Sequence, residues 1–320
     1  MAIGTTNDLF FREPTADDFE AICAIRNLTL SEPITPEVMA ERERNLQSEG
    51  MRRRLVACRE GRVVATGQAT RWPGMPRSNC FLTVDVEPSF RRQGIGTRLL
   101  TELAQLVAPE GCDKLTACCR DDRHDGKAFL EARGFEFSQH LVDSELHLTT
   151  FSAEPFEAIR RDLDESGIQL VDFLEFGDTA AHRRLVHELS NTCDADTPGI
   201  EQWGLPDYER FAAETFESSR YHPAGLVLAA REGMLIGLSW IAPVGDGAWG
   251  THFSGVLPPY RGRGIALACK AKALANAKAL GAKVCRAQND TRNGAMLRIN
   301  ERLGFVPQFG WIYMTRRVST

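Results

Sequence analysis

The chain lacks several features that would place it in a large class of proteins. No stretch of about 20 apolar residues occurs, so no membrane-spanning helix is predicted. The nine cysteines show neither CxxC nor Cys/His zinc spacing, and we predict no metal site. Adjacent Cys118 and Cys119 do not favour a structural disulfide, so reduced thiols and a cytoplasmic protein are expected. The first twelve residues contain no long apolar run, and no signal peptide is predicted.

The excess of one sign of charge over the other is also small. The formal net charge of −5 gives no reason to expect nucleic acid or a membrane surface as a partner. Hydrophobic residues make up 43% and charged residues 25% of the chain, which is ordinary for a globular protein. A length of 320 residues suggests about two domains.

One short segment of the sequence occurs twice. Arg91–Gly96 and Arg261–Ala266 each follow an apolar run and a proline, and each leads into a helical pattern. The two copies lie 170 residues apart, and so do the later Gly134 and Gly304, each followed by a phenylalanine. Self-similarity at half the chain length predicts a duplicated domain. We therefore predict domains at 1–150 and 168–320, joined by a linker at 151–167.

The repeated segment has the physical properties of an anion-binding loop. Glycine lets a ligand approach the backbone closely, and the N-terminus of the following helix offers unpaired N–H groups to an anion. Flanking arginines add charge-assisted hydrogen bonds. The spacing fits neither the dinucleotide fingerprint nor the P-loop. The predicted ligand-binding residues are Arg91, Arg92, Gln93, Gly94, Ile95, Gly96 and Thr97 in the first copy and Arg261, Gly262, Arg263, Gly264, Ile265 and Ala266 in the second.

The pattern Arg-x-x-Gly-x-Gly/Ala, followed in each half by a Gly-Phe pair, resembles the GNAT superfamily of N-acetyltransferases. The resemblance implies an α/β (α+β) fold with two tandem domains, each a mixed, mostly antiparallel twisted sheet flanked by helices. It also implies acetyl-CoA as the cofactor, bound by its pyrophosphate at these loops, and direct transfer of the acetyl group to a small-molecule or peptide amine. The tandem arrangement is similar to that of the mycothiol synthase group, although no residue here fixes the mycothiol precursor as the substrate.

The resemblance extends to residues beyond the loops. It implies that pantetheine lies along the strand before each loop, and that the backbone of Val86 or Val256 stabilises the developing oxyanion. This strand should separate from its neighbour, and a bulge at Ser254–Gly255 could help it do so. In the second half, Asn289 and Asn293 match a pattern in which the latter binds the pantetheine amides. Hydrogen bonds within a turn are an equally good explanation of these asparagines.

The catalytic acid and base are less clear from the sequence. Many family members have a tyrosine five residues before the phenylalanine of the Gly-Phe pair, where this chain has Leu130 and Asn300. A thiolate departs well without an acid, so catalysis stays possible. His252 shares strand parity with Val256 and is a candidate base, but a structural histidine or a water relay explains the sequence as well. The acidic residues at 194 and 196 could hold an ammonium group or simply be solvated turn residues.

We predict that the second domain is catalytic and that the first binds acyl-CoA weakly or is structural. The alternative is a catalytically silent protein that binds or senses acyl-CoA. Aminoacyl transfer from tRNA is disfavoured, because such enzymes need a basic face. The expected partner is an amine acceptor, and the protein is a monomer, as a pseudo-dimer of domains, or a homodimer.

Overall fold

The computed structural model describes residues 9–30, 33–44, 50–200, 204–218 and 220–318, which form two compact units. Unit 1 contains the described residues up to Cys119, together with Arg123–Ser138 and the described residues from Ile312 onward. Unit 2 contains Arg120–Asp122 and the described residues from Gln139 to Trp311.

The described residues form both strands and helices along the chain. The strands are β1 (Phe10–Arg12), β2 (Met51–Arg59), β3 (Arg62–Arg71), β4 (Asn79–Val86), β5 (Lys114–Arg120), β6 (Glu136–His147), β7 (Gln169–Asp172), β8 (Leu226–Arg231), β9 (Met234–Gly245), β10 (Ala248–Val256), β11 (Val284–Asp290) and β12 (Val306–Arg317). The α-helices are α1 (Phe19–Arg26), α2 (Pro36–Arg44), α3 (Ile95–Val107), α4 (His124–Glu131), α5 (Glu157–Glu165), α6 (Phe173–Phe176), α7 (Ala180–Asp194), α8 (Tyr208–Thr215), α9 (Ile265–Ala279) and α10 (Gly294–Leu303).

Each unit contains a mixed, mostly antiparallel sheet. In unit 1, β1 to β4 pair antiparallel in chain order, β5 pairs parallel with β4, and β12 lies next to β5. In unit 2, β7 to β10 pair antiparallel, β11 pairs parallel with β10, and β6 pairs antiparallel with β11. The predicted fold class, mixed sheets flanked by helices in a tandem arrangement, is confirmed.

One helix covers the centre of each sheet and carries the repeated loop at its start. Helix α3 packs on β2, β3 and β4, and α9 packs on β8, β9 and β10. Their inward side chains, such as Leu99 and Leu103 in α3 and Ala273 and Leu274 in α9, are fully buried in the two largest apolar cores. Burial of these faces fixes both helices, and hence both loops, against the ends of β4 and β10.

Two predicted segments behave differently in the structure. The closing strand expected at 135–151 in the first half is β6, and its residues Leu141–His147 pair with β11 in unit 2. The alternation of a strand specifies which side chains face a core, but not which sheet the strand joins. The predicted linker 151–167 contains helix α5, whose Leu163 is only 3% exposed and belongs to the core of unit 2. Ion pairs from Arg160 to Glu157 and Asp164 stabilise its outer face, which is why the segment is so charged.

Candidate active site

The two repeated loops have nearly the same backbone conformation. Each follows a short 3₁₀ turn, Pro88–Phe90 or Pro258–Tyr260, and each ends in a left-handed glycine at the helix N-cap. The φ angles are 79° at Gly94 and 81° at Gly264, values that favour glycine. The predicted sequence of strand, turn and helix N-terminus is therefore present in both units.

The backbone N–H groups of the loops are available to a ligand. The first hydrogen bonds that link each loop to its helix are Arg98 N to Gly94 O and Ala268 N to Gly264 O. Within the described chain, no hydrogen bond involves the N–H groups of residues 92–97 or 262–267. These groups lie at the positive end of a helix, which is where anions bind. The geometry fits a pyrophosphate in both units.

The first arginine of each loop has a structural contact. Arg91 Nε donates to the carbonyl of Val86 at 3.0 Å, and Arg261 Nε donates to the carbonyl of Val256 at 2.9 Å. Arg261 also pairs with Asp196 at 2.9 Å. These contacts tie the loop to the end of the preceding strand. The Nε groups of both arginines are thus engaged by the protein, and the role of the two residues toward a ligand stays a prediction.

The second position of the loop distinguishes the two units. Arg92 has φ of 63°, whereas its counterpart Gly262 has φ of 78° with open space where a side chain would point. A left-handed conformation at a residue other than glycine costs roughly 1–2 kcal/mol. The loop of unit 2 therefore adopts this conformation without strain, and the loop of unit 1 does not.

Both sheets open next to their loops. Pairing between β10 and β11 runs from Ala248↔Val284 to Gly250↔Arg286, whereas β10 continues to Val256. Pairing between β4 and β5 likewise ends at Leu82↔Ala117, four residues before the end of β4. The strand before each loop therefore separates from its parallel neighbour, as predicted, and leaves a gap open to an extended ligand.

The strand ends direct one N–H group into each gap. Leu257 N donates to Ile236 O on β9, and Glu87 N donates to Val64 O on β3. Successive residues in an antiparallel ladder point their N–H groups to opposite edges. The N–H groups of Val256 and Val86 therefore point away from β9 and β3, toward the opening. This orientation is the one that the predicted oxyanion donor needs.

The bulge in β10 lies at His252. The pairing with β9 shifts register between Thr251 and Phe253, while Ser254 and Gly255 pair regularly with Ser239 and Leu238. The bulge predicted at Ser254–Gly255 is therefore wrong. A hydrogen bond of 2.8 Å between the hydroxyl groups of Ser239 and Ser254 supports the regular pairing there.

A cavity of about 740 Å³ lies in unit 2 and spans the opening between β10 and β11. Its wall includes residues 251–254 of β10, residues 288–290 of β11, and parts of α7, α8 and α10. Phe211, Tyr221 and Trp240 provide aromatic surface. The buried atoms Tyr221 Oη and Trp240 Nε1 have no hydrogen-bond partner among the described residues. Buried polar groups normally have partners, so these atoms mark a place for a polar ligand or water.

His252 lies on the cavity wall. Its ring stacks on Trp240 with the ring centres 4.3 Å apart. Burial by the cavity walls, and next the positive charge of Arg220, lower the pKa of His252 below its usual value of about 6.5. The side chain remains accessible from the cavity. The imidazole is therefore neutral at pH 7 and able to accept a proton.

The two aspartates considered as ammonium ligands lie in different surroundings. Asp194, the last residue of α7, lines the cavity, and burial raises its pKa. Asp196 is exposed and pairs with Arg261 instead. Only the first of them is placed to meet a ligand in the cavity.

Both predicted asparagines line the cavity. Asn293 is the N-cap of α10, and its Oδ1 accepts a hydrogen bond from Met296 N at 3.2 Å. Asn289, at the end of β11, accepts a hydrogen bond of 2.7 Å from the Nδ2 of Asn300. The hydrogen bond within the turn uses the side-chain oxygen of Asn293, and the amide nitrogen of this residue is left for a ligand.

A buried lysine behind the cavity was not predicted from the sequence. Lys270 of α9 is fully buried, and its Nζ donates to Asn300 Oδ1 at 2.6 Å. Burial lowers the pKa of Lys270 to about 8. The only signal in the sequence is its position next to Cys269 and three residues before Ala273, within a helix rich in small apolar residues.

Other kinds of site find no support in the part of the chain that the structure describes. No group of three or more histidine, cysteine or acidic residues there could hold a metal ion. No described helix has the length and apolar character needed to cross a membrane. All nine cysteines are free thiols.

Comparison with known proteins identifies the family. The model of the acetyltransferase (GNAT) family matches residues 19–135 and again residues 186–305, which together cover well over half of the chain. The chain therefore belongs to this family, and with two copies of the domain it is a tandem GNAT N-acetyltransferase.

Several known proteins are similar to this chain in sequence or in structure. The chain is 29% identical to a mycothiol acetyltransferase of Thermobispora bispora, over 69% of this chain and 70% of that protein. It is 26% identical to a mycothiol acetyltransferase of Thermomonospora curvata, over 80% of each. A GCN5-related N-acetyltransferase of Sphaerobacter thermophilus superposes with a TM-score of 0.76 at 18% identity, covering 98% of this chain and 96% of that one. A tandem GNAT protein from the clavulanic acid biosynthesis pathway gives 0.69 at 19% identity, covering 98% and 99%. At these identities the structures establish the fold alone.

Proposed function

We propose that the chain transfers an acetyl group from acetyl-CoA to a small-molecule amine, and that unit 2 carries the active site. The observation that carries this proposal is the cavity in unit 2, whose wall includes both strands of the opening between β10 and β11. A ligand that enters along the opening reaches a space of about 740 Å³, the size of a small-molecule site. The repeated loop follows the same strand by a few residues.

The residues of unit 2 fit the parts of acetyl-CoA. The free N–H groups of the loop would hold the pyrophosphate, and the Asn293 amide would hold the pantetheine arm. When bound, acetyl-CoA supplies a thioester: a C–N bond forms to the acceptor amine as the C–S bond breaks, and its electron pair leaves on sulfur. The Val256 N–H stabilises the charge on the carbonyl oxygen. Neutral His252, directly or through water, takes the proton of the amine.

Unit 1 lacks these polar groups at the matching positions. His252 is the extra residue of the β10 bulge and has no counterpart in β4, whose pairing with β3 is regular. Asn289 corresponds to Cys119 and Asn293 to Arg123 in the first half of the sequence. Neither a cysteine nor an arginine offers the paired donor and acceptor of an amide. Unit 1 can still bind acyl-CoA at its loop, but these substitutions favour unit 2 for the chemistry.

The cavity favours an acceptor with a cationic and an apolar part. Asp194 is an acid at its edge, and the aromatic side chains form an apolar wall. Such a surface suits a small amine that is protonated in solution and has hydrophobic area to bury. Because relatives are named mycothiol acetyltransferases, the amine precursor of mycothiol belongs among the acceptors to be tested. A cytoplasmic location with reduced thiols is part of the same proposal.

Turnover tests this function directly. Purified full-length protein is incubated with acetyl-CoA and a panel of primary amines of different size, and release of the free thiol of CoA is measured. We expect thiol release that depends on the amine, together with an acetylated product detected by mass spectrometry. Binding of CoA without turnover on any amine would instead support the silent acyl-CoA-binding alternative, which the asparagine at position 300 favours. Absence of CoA binding would refute both.

A charge reversal in each loop tests whether unit 2 alone carries the active site. We expect Arg263→Glu to raise the KM for acetyl-CoA by about 10- to 100-fold, since a hydrogen bond to a charged group contributes about 1.5–3 kcal/mol and 1.4 kcal/mol is tenfold. Arg92→Glu makes the same change of charge in unit 1 and should leave KM and kcat within about twofold, because only unit 2 turns over. Steady-state kinetics measures both.

The arginine is a better target than the loop glycine. A Cβ at Gly264 would lie 2.9 Å from Ile159 Cγ2, and the residue has a left-handed backbone, so a bulky side chain there would also disturb α5. Arg263 is exposed and contacts the ring of Tyr260 from 5.5 Å. Equal losses from the two charge reversals would show that the proposed division of labour is wrong.

A further inference from the structure

A buried cation and two side-chain amides form a continuous chain of hydrogen bonds that ends at the cavity. Lys270 Nζ donates to Asn300 Oδ1 at 2.6 Å, and Asn300 Nδ2 donates to Asn289 Oδ1 at 2.7 Å. Lys270 is fully buried and Asn300 is 3% exposed, whereas Asn289 is partly exposed and lines the cavity. The chain thus connects the core behind α9 to the surface on which a ligand would lie.

The chemistry of the lysine fixes the direction of every bond in this chain. An ammonium group can only donate, so the amide oxygen of Asn300 must face Lys270. The amide nitrogen of Asn300 then faces Asn289, which must accept with its own oxygen. The nitrogen of Asn289 is left on the other side, and no hydrogen bond occupies it within the described residues. The cation therefore orients two amides so that the last one presents N–H donors to the cavity.

The matching positions of unit 1 show that the fold does not need these groups. Lys270 corresponds to Leu100, Asn300 to Leu130 and Asn289 to Cys119. Both leucines are buried in the apolar core of unit 1, at 2% and 5% exposure. A buried cation and a buried amide are less favourable than such leucines unless they are fully paired. The polar chain in unit 2 therefore serves something other than packing.

We propose that Lys270 and Asn300 are positioning residues that hold Asn289 as a hydrogen-bond donor to the sulfur of the acyl thioester. This inference rests on the proposed function of unit 2. As the C–S bond breaks, the electron pair moves onto sulfur, and a fixed N–H donor stabilises the resulting thiolate without transferring a proton. The donor thus compensates for the missing tyrosine at position 300, and the proton of the amine still leaves through His252 or water.

The variant Asn300→Asp tests the direction of the chain. A carboxylate only accepts, so it would keep the bond from Lys270 as an ion pair and would also accept from Asn289. Asn289 must then turn its amide around and present its oxygen to the cavity. We expect a folded protein whose kcat falls by at least about tenfold with little change in the KM for the amine, because an acceptor replaces a donor beside the leaving sulfur. Asn289→Ala should show a loss of similar size.

A second variant removes the possibility that the loss reflects misfolding. Lys270→Leu combined with Asn300→Leu copies the leucines of unit 1, and we expect an unfolding temperature at or above that of the wild type. Its kcat should fall as in Asn300→Asp, because nothing then orients Asn289. If Asn300→Asp and this double variant both fold and keep the wild-type kcat, the inference is wrong.

Spectroscopy adds a readout that does not depend on turnover. The side-chain amide signal of Asn289, assigned by its absence in Asn289→Ala, should shift in the ¹H–¹⁵N spectrum when coenzyme A is added to the wild type. It should stay unshifted, or shift in a different direction, in Asn300→Asp. An identical shift in both proteins contradicts the orientation that we infer. Absence of thiol release by the wild-type protein would refute the proposed function. It would not refute the orientation of Asn289, which the spectra test separately.

Discussion

Proline in place of Val256 is expected to lower kcat by about 10²–10³-fold, the loss measured when one oxyanion donor is removed from an enzyme. The substitution removes the N–H that points into the opening between β10 and β11. It leaves the neighbouring bond from Leu257 N to Ile236 O in place. Val256 is the last residue of its strand, and its N–H does not donate to β9. Proline is tolerated at such a position because it removes no hydrogen bond of the sheet. Steady-state kinetics with acetyl-CoA and the best acceptor measures the effect.

Two controls separate the missing N–H from the missing side chain. Val256 is 8% exposed and packs in the core of unit 2, so Val256→Ala loses similar apolar contacts but keeps the donor. It should retain kcat within a few-fold while lowering the unfolding temperature. Val86→Pro makes the same change in unit 1 and should leave turnover intact. If Val256→Ala is as inactive as the proline variant, the backbone donor is not the cause.

The parts of the site that could be predicted are those fixed by local sequence. The left-handed glycines at 94 and 264, the turn before each helix and the helix N-terminus all lie within about ten consecutive residues. Their constraints are those of the backbone itself, which acts over short separations. The repetition at a constant spacing predicted the duplicated domain, and the resemblance of the repeated pattern to the GNAT superfamily implied the fold class.

The parts that could not be predicted depend on contacts between distant residues. Lysine in a helix normally predicts a solvated face, and only the packing of α10 on α9 brings Asn300 to within 2.6 Å of Lys270. The bulge at His252 is set by the register with β9, which the sequence of β10 alone does not specify. The helical nature of 157–165 depends on a core that accepts one buried leucine.

The comparison of the two units explains why duplication matters for the mechanism. Both units retain the features that suit an anion, namely the loop, the helix N-terminus and the opening of the sheet. They differ at positions that line the cavity of unit 2, which are His252, Asn289 and Asn293. A matched change in each unit is therefore the natural control for each proposed role.

Glutamine in place of His252 is expected to lower kcat/KM by about 100-fold, the lower end of what a positioned general base contributes. Burial and the charge of Arg220 depress the pKa of the histidine, so it is neutral at pH 7. As the pH falls through that lowered pKa, below about 6.5, the imidazole gains a proton and can no longer accept one from the amine. The wild type should therefore lose activity on the acid side of neutrality, and His252→Gln should lack this acid limb.

A second titrating group at the cavity must be distinguished from the histidine. Burial raises the pKa of Asp194, which moves its titration toward the same acid range. Asp194→Asn should weaken binding of a cationic acceptor but keep the acid limb in kcat/KM for acetyl-CoA. If the limb persists in His252→Gln and disappears in Asp194→Asn, the aspartate is the base. If it persists in both with a nearly unchanged rate, water receives the proton, and the ring of His252 serves to pack against Trp240, 4.3 Å away.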